Sequence, residues 1–482
     1  MPDKIILDCL QPLCAYIPAM NVKEISSENK SLKRTVLLVS VLSSFLTPFM
    51  ASGVNISLPA MAREFDLDAV SLGWIATSYL LASAVLLLPF GRLADIFGRK
   101  RVFAAGVAIF SLSSLLAAAV PSFPLLIAAR LLQGIGSSML FGTGAAIITS
   151  VFPDGERGGA LGLGVSAVYA GLSAGPLIGG LLVQNLGWRS IFIVNGLMGI
   201  VVLTVLLWRV KGDWAEAKGE RFDWKGSLIY GAGFTLLMYG LSALPGTAGA
   251  AMTAAGFVLM VLFGVVELRQ DSPVLDLRLF RGNPAFTFSN LAALVNYSAT
   301  YAVTFLMSLY LQYVKGLSSS RAGIIIMAQP LVMAAVSPLA GKLSDRFEPR
   351  IIASWGMALT AVSLFSLSFL DPSTPTAVII ASFIVLGGGL ALFSSPNVNA
   401  VMGSVERRHY GVASGMLGTM RLSGQMISMG IVMLAFALTL GSARIVPQNH
   451  GLFMVSLRAV FGLMSALCAL GIFASYARGR MR

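Results

Sequence analysis

Gly91-Arg92-Leu93-Ala94-Asp95 closes one long apolar stretch of this chain, and Gly341-Lys342-Leu343-Ser344-Asp345 closes another about 250 residues later. A second pair keeps nearly the same offset: Gly158-Gly159-Ala160-Leu161-Gly162 leads into an apolar stretch, as does Gly411-Val412-Ala413-Ser414-Gly415. Paired Gly and Asp at matching ends of apolar segments mark an internal repeat, and its length accommodates six membrane helices.

Working outward, fourteen apolar segments begin near Thr35, Leu72, Val102, Pro124, Ala160, Ser190, Gly226, Gly249, Phe286, Gly323, Ile351, Ala377, Val412 and Leu452. About 20 residues at 1.5 Å each suffice to cross roughly 30 Å of hydrocarbon. The predicted architecture is an all-α membrane protein: residues 1-33 form an N-terminal tail, 34-210 one six-helix bundle, 211-284 an inserted helix pair with flanking loops, and 285-482 a second six-helix bundle. Two parallel repeats around a central cavity suit a carrier in which one half rocks against the other.

Composition agrees: 56% of residues are hydrophobic, only 11% are charged and mean hydropathy is +0.82, whereas soluble domains carry roughly 25% charged residues. The net charge of +13 does not point to nucleic acid, because the basic residues lie between apolar segments instead of forming a patch interleaved with aromatics. The great majority of the 34 Lys and Arg fall in the tail, the even-to-odd loops and the C-terminus. The positive-inside rule therefore places both termini in the cytoplasm and the chain in the cytoplasmic (inner) membrane as a multi-pass protein. The first span is expected to serve as its own insertion signal, with Met20 an alternative start to Met1.

Cys9, Cys14 and Cys468 are too scattered for a disulfide framework, and His409 and His450 cannot build a metal site alone. No phosphate-binding loop, zinc-spaced His/Cys set or nucleophile elbow occurs. An enzyme or an ATP-driven pump therefore has no residues to carry its chemistry. The expected energy source is the proton-motive force, without a cofactor or metal, and the expected partners are a small-molecule substrate, protons and the lipid bilayer, with the chain acting as a monomer.

Several motifs carry more specific chemistry. In Gly91-Arg92-Leu93-Ala94-Asp95-Ile96-Phe97-Gly98-Arg99-Lys100-Arg101, glycines allow a tight turn and close helix approach, and Asp95 can pair with basic residues or a helix N-terminus. In Arg130-Leu131-Leu132-Gln133-Gly134-Ile135-Gly136, an arginine lies below the membrane surface, where it is costly unless it faces water or a partner. In Gly171-Leu172-Ser173-Ala174-Gly175-Pro176-Leu177-Ile178-Gly179-Gly180, glycines four apart form a stripe for close packing, and Pro176 permits a kink. Shorter stretches are Trp74-Ile75-Ala76-Thr77-Ser78-Tyr79, Trp188-Arg189-Ser190-Ile191-Phe192 with Asn195, Asp223-Trp224, and Asp276-Leu277-Arg278-Leu279-Phe280-Arg281.

Together these motifs resemble the fourteen-span drug:proton antiporter branch of the major facilitator superfamily, over roughly Val36 to Tyr476. The resemblance implies the major facilitator fold and export of small organic molecules in exchange for protons; a nutrient symporter or an uncoupled facilitator is the alternative on the same fold. It implies a gating latch at Gly91, Arg92, Asp95, Gly98, Arg99 and Asp345, proton coupling through Arg130, Asp95 or Arg421, and an antiporter motif at Gly171, Gly175, Pro176, Gly179 and Gly180.

One departure changes the expected substrate. Asn55 and Leu58-Pro59 match the branch in the first span, but Met50 occupies its acidic position. Every Asp and Glu falls in a predicted loop or at a span end, so no midplane carboxylate is available, and a cavity holding Arg130 and Arg421 suits neutral or anionic substrates. The outer Glu64, Asp66 and Asp68 are further proton candidates. Helical spacing sets Asn290, Tyr297, Tyr301, Thr304 and Ser308 on one face of the ninth span. With Asn55, Gln133, Asn397, Arg421 and Gln425 they are the predicted cavity residues.

Overall fold

A computed structural model describes residues 22–482 apart from 211, 216, 218, 221, 271, 272, 274, 276, 407–409, 442 and 480–482. The expectations for Cys9, Cys14, Met20, Asp276 and His409 lie outside the described residues. Helices α1 to α8 are Val22–Phe65, Ala69–Phe97, Arg99–Ala119, Phe123–Val151, Asp154–Leu186, Arg189–Arg209, Trp224–Ser242 and Thr247–Glu267. They are followed by α9 (Pro284–Val314), α10 (Ser319–Arg346), α11 (Pro349–Leu367), α12 (Thr376–Gly403), α13 (Tyr410–Thr439) and α14 (His450–Ala477).

The chain stops and restarts helices where local chemistry demands it. Asp68, Asp223 and Asn283 each accept a backbone N–H three residues on, from Ser71 at 2.6 Å, Gly226 at 2.9 Å and Phe286 at 3.0 Å. Helix α9 is α-helical to Thr300, resumes at Ala302 and ends in a π turn, Tyr310–Val314. Among the described residues, thirteen helices are long and apolar enough to cross a membrane. The fourteenth, α7, has 19 residues and is less apolar, opening on Trp224 and Lys225, but it packs along α8 as its antiparallel partner.

The repeat seen in sequence is a repeat of packing. Helix pairs α1–α5, α2–α4, α3–α4, α3–α6 and α1–α6 recur, eight places on, as α9–α13, α10–α12, α11–α12, α11–α14 and α9–α14. Backbone detail repeats as well: a Cβ on Gly106 would lie 3.0 Å from the Gly136 carbonyl oxygen, and one on Gly356 would lie 2.7 Å from that of Gly389. Between the halves, α5 meets α10 and α2 meets α13, two seams that interchange under the same repeat.

Helix α7 lies against one of these seams. Its Tyr230 hydroxyl donates to the Ala84 carbonyl of α2 at 3.1 Å, while Leu241 stands beside Gly430 of α13. Helix α8 turns Phe257, Val258 and Val261 outward, as a helix facing lipid should. The inserted pair thus covers the α2–α13 seam and leaves α5–α10 bare, with Ile178, Ile324 and Leu331 exposed.

The first helix begins at Val22, and its membrane-spanning part begins near Ser31. Two carboxylates are nevertheless buried: Asp223 is 7% and Glu267 1% exposed. Both sit where the inserted hairpin begins and ends, not at mid-membrane, because they cap backbone: Asp223 at the start of α7, and Glu267 by accepting the Leu275 N–H at 3.1 Å. Replacing Asp223 with alanine removes the α7 cap and is expected to cost about 1 kcal/mol, readable as a lower unfolding midpoint of the purified protein.

Candidate functional site

Arg130 of α4 is 1% exposed and wrapped by its own half. Its Nε donates to the Ile75 carbonyl of α2 at 3.0 Å, its Nη1 to the Gln133 side chain, and its guanidinium lies 4.5 Å from the centre of the Tyr79 ring. Gln133 passes the connection to α3 by donating to Ser114 Oγ at 2.6 Å, and the Tyr79 hydroxyl shares a 2.6 Å hydrogen bond with Ser137. Three helices therefore converge on a single cation. No carboxylate bonds to it among the described residues, so carbonyl, amide and π-face dipoles carry its stabilisation.

Arg421 of α13 is only half-buried and less well satisfied. Its guanidinium lies 5.2 Å from the ring centre of Phe141, which belongs to the other half, while its Nε has no hydrogen-bond partner. Tyr297 is close enough to interact with it directly, Tyr79 lies within its electrostatic reach, and Tyr169 lies within that of Tyr297. Tyr301 extends the aromatic surface toward Arg130. A separate cavity of about 50 Å³ lies between the halves where α1 and α5 face α9 and α10, lined in part by Ser52, Pro176, Thr304 and Gln329.

The halves close against each other at the end opposite the chain termini. There Arg444 pairs with Asp66, the Ala69 N–H donates to the Ala443 carbonyl at 3.3 Å, and Ser308 and Gln312 of α9 donate to the Asn55 and Ile56 carbonyls at 2.6 and 3.0 Å. Helices α5 and α10 touch through their smallest residues. A Cβ on Gly180 would lie 2.5 Å from the Ser319 carbonyl oxygen, and one on Gly323 would collide with that of Pro176. Gly171, Gly175 and Gly179 face α1 instead, at Phe45, Phe49 and Gly53. The glycine-proline motif thus works on two faces, one inside a half and one between halves.

At the end carrying the termini no hydrogen bond or ion pair joins α5 to α10 or α2 to α13 among the described residues. Leu163, Val165 and Ser166 of α5, Leu339 and Lys342 of α10, and Val412 and Ser414 of α13 are exposed. Here Asp95 pairs with Arg99 of its own half at 2.9 Å, and Arg99 Nη1 also donates to Ser150 of α4 at 2.7 Å. The segment between α6 and α7 covers this turn: the Trp214 carbonyl accepts from the Arg99 N–H at 2.8 Å, Asp213 caps the Lys100 N–H at 2.9 Å, and Glu220 pairs with Arg92. Gly98, at φ +116°, leaves room for Asp213, which a Cβ would strike. Gly98→Ala is expected to cost at least about 1 kcal/mol, seen as a lowered unfolding midpoint. Gly142 of α4 lets the Gly91 backbone approach, since a Cβ on Gly142 would lie 3.3 Å from Gly91 Cα, whereas one on Gly91 itself would meet nothing within 4 Å.

The predicted cavity residues divide. Tyr297, Tyr301, Thr304, Arg421 and Gln425 are half-buried around the space between the halves. Asn55, Gln133, Asn290 and Asn397 are at most 4% exposed and packed inside helix interfaces, Asn290 donating to its own helix at Phe286. Ser308 is likewise fully buried, used for closure. Sequence reasoning missed Phe141, Tyr169, Gln312 and Gln329. Isolated glutamines in apolar helices are a usable signal, whereas single aromatic residues in a chain that holds 28 Phe and 11 Tyr are not. Asp213 and Glu220 carried no signal, because a loop's docking partner depends on the fold.

A family model described as Major Facilitator Superfamily matches residues 40–429. The chain is 34% identical to the cephamycin export protein CmcT of Amycolatopsis lactamdurans, covering 90% of this chain and 91% of that one. It is 27% identical to the riboflavin transporter RibZ of Clostridioides difficile, covering 91% and 96%. Among solved structures, a bacterial homolog of the human lysosomal transporter Spinster superposes with TM-score 0.67 over 93% of this chain and 97% of that chain at 17% identity, a likeness of fold.

Proposed function

From the premise that this chain belongs to the Major Facilitator Superfamily, we propose that it exports small organic, drug-like molecules across the cytoplasmic membrane by alternating access, drawing on the proton-motive force in exchange for protons. The carrying observation is the asymmetry of closure. Hydrogen bonds and an ion pair join the halves at one end, while α5, α10 and α13 are exposed at the other. That is one of the two states such a cycle requires.

The concentration of basic residues around the termini supports reading the open end as cytoplasmic. Substrate would enter there, and closure would exchange the contacts at the two ends. The small-residue contact of Gly180 and Gly323 favours a hinge that opens without displacing large side chains. Export, as opposed to uptake, draws support from the cephamycin export relative.

The test is substrate-dependent proton release from proteoliposomes, screened against neutral, anionic and cationic compounds. Asp95→Asn is expected to reduce coupled release at least tenfold while the protein still inserts, because Asp95 joins the cytoplasm-side turn to Arg99. Undiminished release in that variant would remove Asp95 from the mechanism. A second reading, an uncoupled facilitator, is favoured by Met50, which is fully buried where the antiporter branch carries an acid.

A further inference from the structure

We propose that Arg421 binds the negative group of an aromatic organic anion, and that the membrane potential, acting on that charge, drives its export. This assignment rests on the transport reading above and names its substrate class and the component of the proton-motive force it uses.

The two mid-membrane cations differ in what they have left to offer. Arg130 spends its Nε and Nη1 on Ile75 and Gln133, lies against Tyr79 and is 1% exposed. Arg421 is half-buried, and its Nε is without a partner. Its nearest partners are a π face, Phe141, and a neutral phenol, Tyr297. Among the described residues every Asp and Glu lies at a helix end or in a loop. A cation held this deep without a counter-charge is costly, and a ligand that brings one relieves the cost.

The surroundings specify the rest of the ligand. Phe141 of α4 and Tyr297 of α9 supply ring surface from both halves beside one guanidinium. Arginine favours planar oxyanions, which it can bind with two parallel hydrogen bonds, and rings favour a flat apolar body. Because Phe141 and Arg421 belong to opposite halves, such a ligand would bridge them.

Energy follows from the same charge. An anion leaving a compartment that is electrically negative moves downhill, so the charge of a monovalent anion by itself contributes about a 50-fold steady-state gradient at 100 mV, in addition to whatever proton exchange supplies.

The experiment uses full-length protein in proteoliposomes, with carboxyfluorescein and the cationic dye rhodamine 6G as probes. Potassium diffusion potentials set by valinomycin are applied with equal pH on both sides. Carboxyfluorescein export is expected to accelerate as the cytoplasm-equivalent side becomes negative, with rhodamine 6G left behind. Arg421→Gln should reduce carboxyfluorescein flux at least twentyfold, and Arg421→Lys, which keeps the charge, should recover part of it. Equal unfolding midpoints in the two variants separate this result from misfolding. Movement of rhodamine 6G alone, carboxyfluorescein flux that ignores potential, or full flux in Arg421→Gln would overturn the assignment and leave the transporter reading standing. A wild type that moves neither probe nor any compound of the wider screen would defeat both.

Discussion

Arg130→Ala is expected to lower transport below about one hundredth of wild type while the protein still inserts and purifies as a single species. Arg130 joins α2 through the Ile75 carbonyl and α3 through Gln133 and Ser114. Removing it strands the Gln133 amide oxygen, at a cost of about 1–3 kcal/mol, and frees the Tyr79 ring whose face it occupies. Those are small losses against a fourteen-helix fold, but they fall on helices that frame the space between the halves. Arg130→Lys should recover less than a tenth of the activity, since an ammonium cannot reach both acceptors in the planar geometry of a guanidinium. Flux per inserted molecule decides it: an alanine variant keeping more than half of wild-type flux would show the buried cation to be structural.

Gly323→Val should displace the conformational equilibrium by between five- and about 150-fold, toward the state with the far end open. A Cβ there meets the Pro176 backbone carbonyl, which cannot rotate away, and Gly180 faces Ser319 in the same contact. Overpacking of this kind costs roughly 1–3 kcal/mol, and each 1.4 kcal/mol is about a factor of ten in population. The penalty applies only while α5 and α10 touch, so it selects between states instead of weakening both. A cysteine at Ser320, covered by α5 in this state, reports the change through its reaction with a membrane-impermeant maleimide. Faster labelling by at least fivefold is expected, and an unchanged rate would mean that α5 and α10 do not part there.

The fold was legible because its physical cause is periodic. Apolar segments of bilayer length and the recurrence of Gly91–Asp95 at Gly341–Asp345 announce two packed repeats, and Gly106 with Gly136 and Gly356 with Gly389 carry that repeat into backbone contacts. Where the inserted pair docks was not legible, since Tyr230 reaching Ala84 is a long-range match between surfaces. Within the site, Arg130 and Arg421 stood out because charge inside a membrane is rare. Spacing on α9 placed Tyr297, Tyr301 and Thr304 together, but it could not foresee that Ser308 would turn to the Asn55 carbonyl or that the helix would loosen into a π turn at Tyr310. Asp95 illustrates the remaining limit: its residue type advertises a latch, yet its partner in this state is Arg99 beside it, because a latch between halves can engage only when that end is shut.

Alternating access between the halves is tested most directly by two distances measured on one protein by pulsed electron spin resonance. One pair of spin labels, at Leu163 and Lys342, spans α5 and α10 at the end that is open here; the other, at Leu186 and Arg321, spans them at the closed end. On cycling with a transported compound, the first distance should shorten and the second lengthen within the same population. Two distances that stay fixed, or that change in the same direction, would contradict the account.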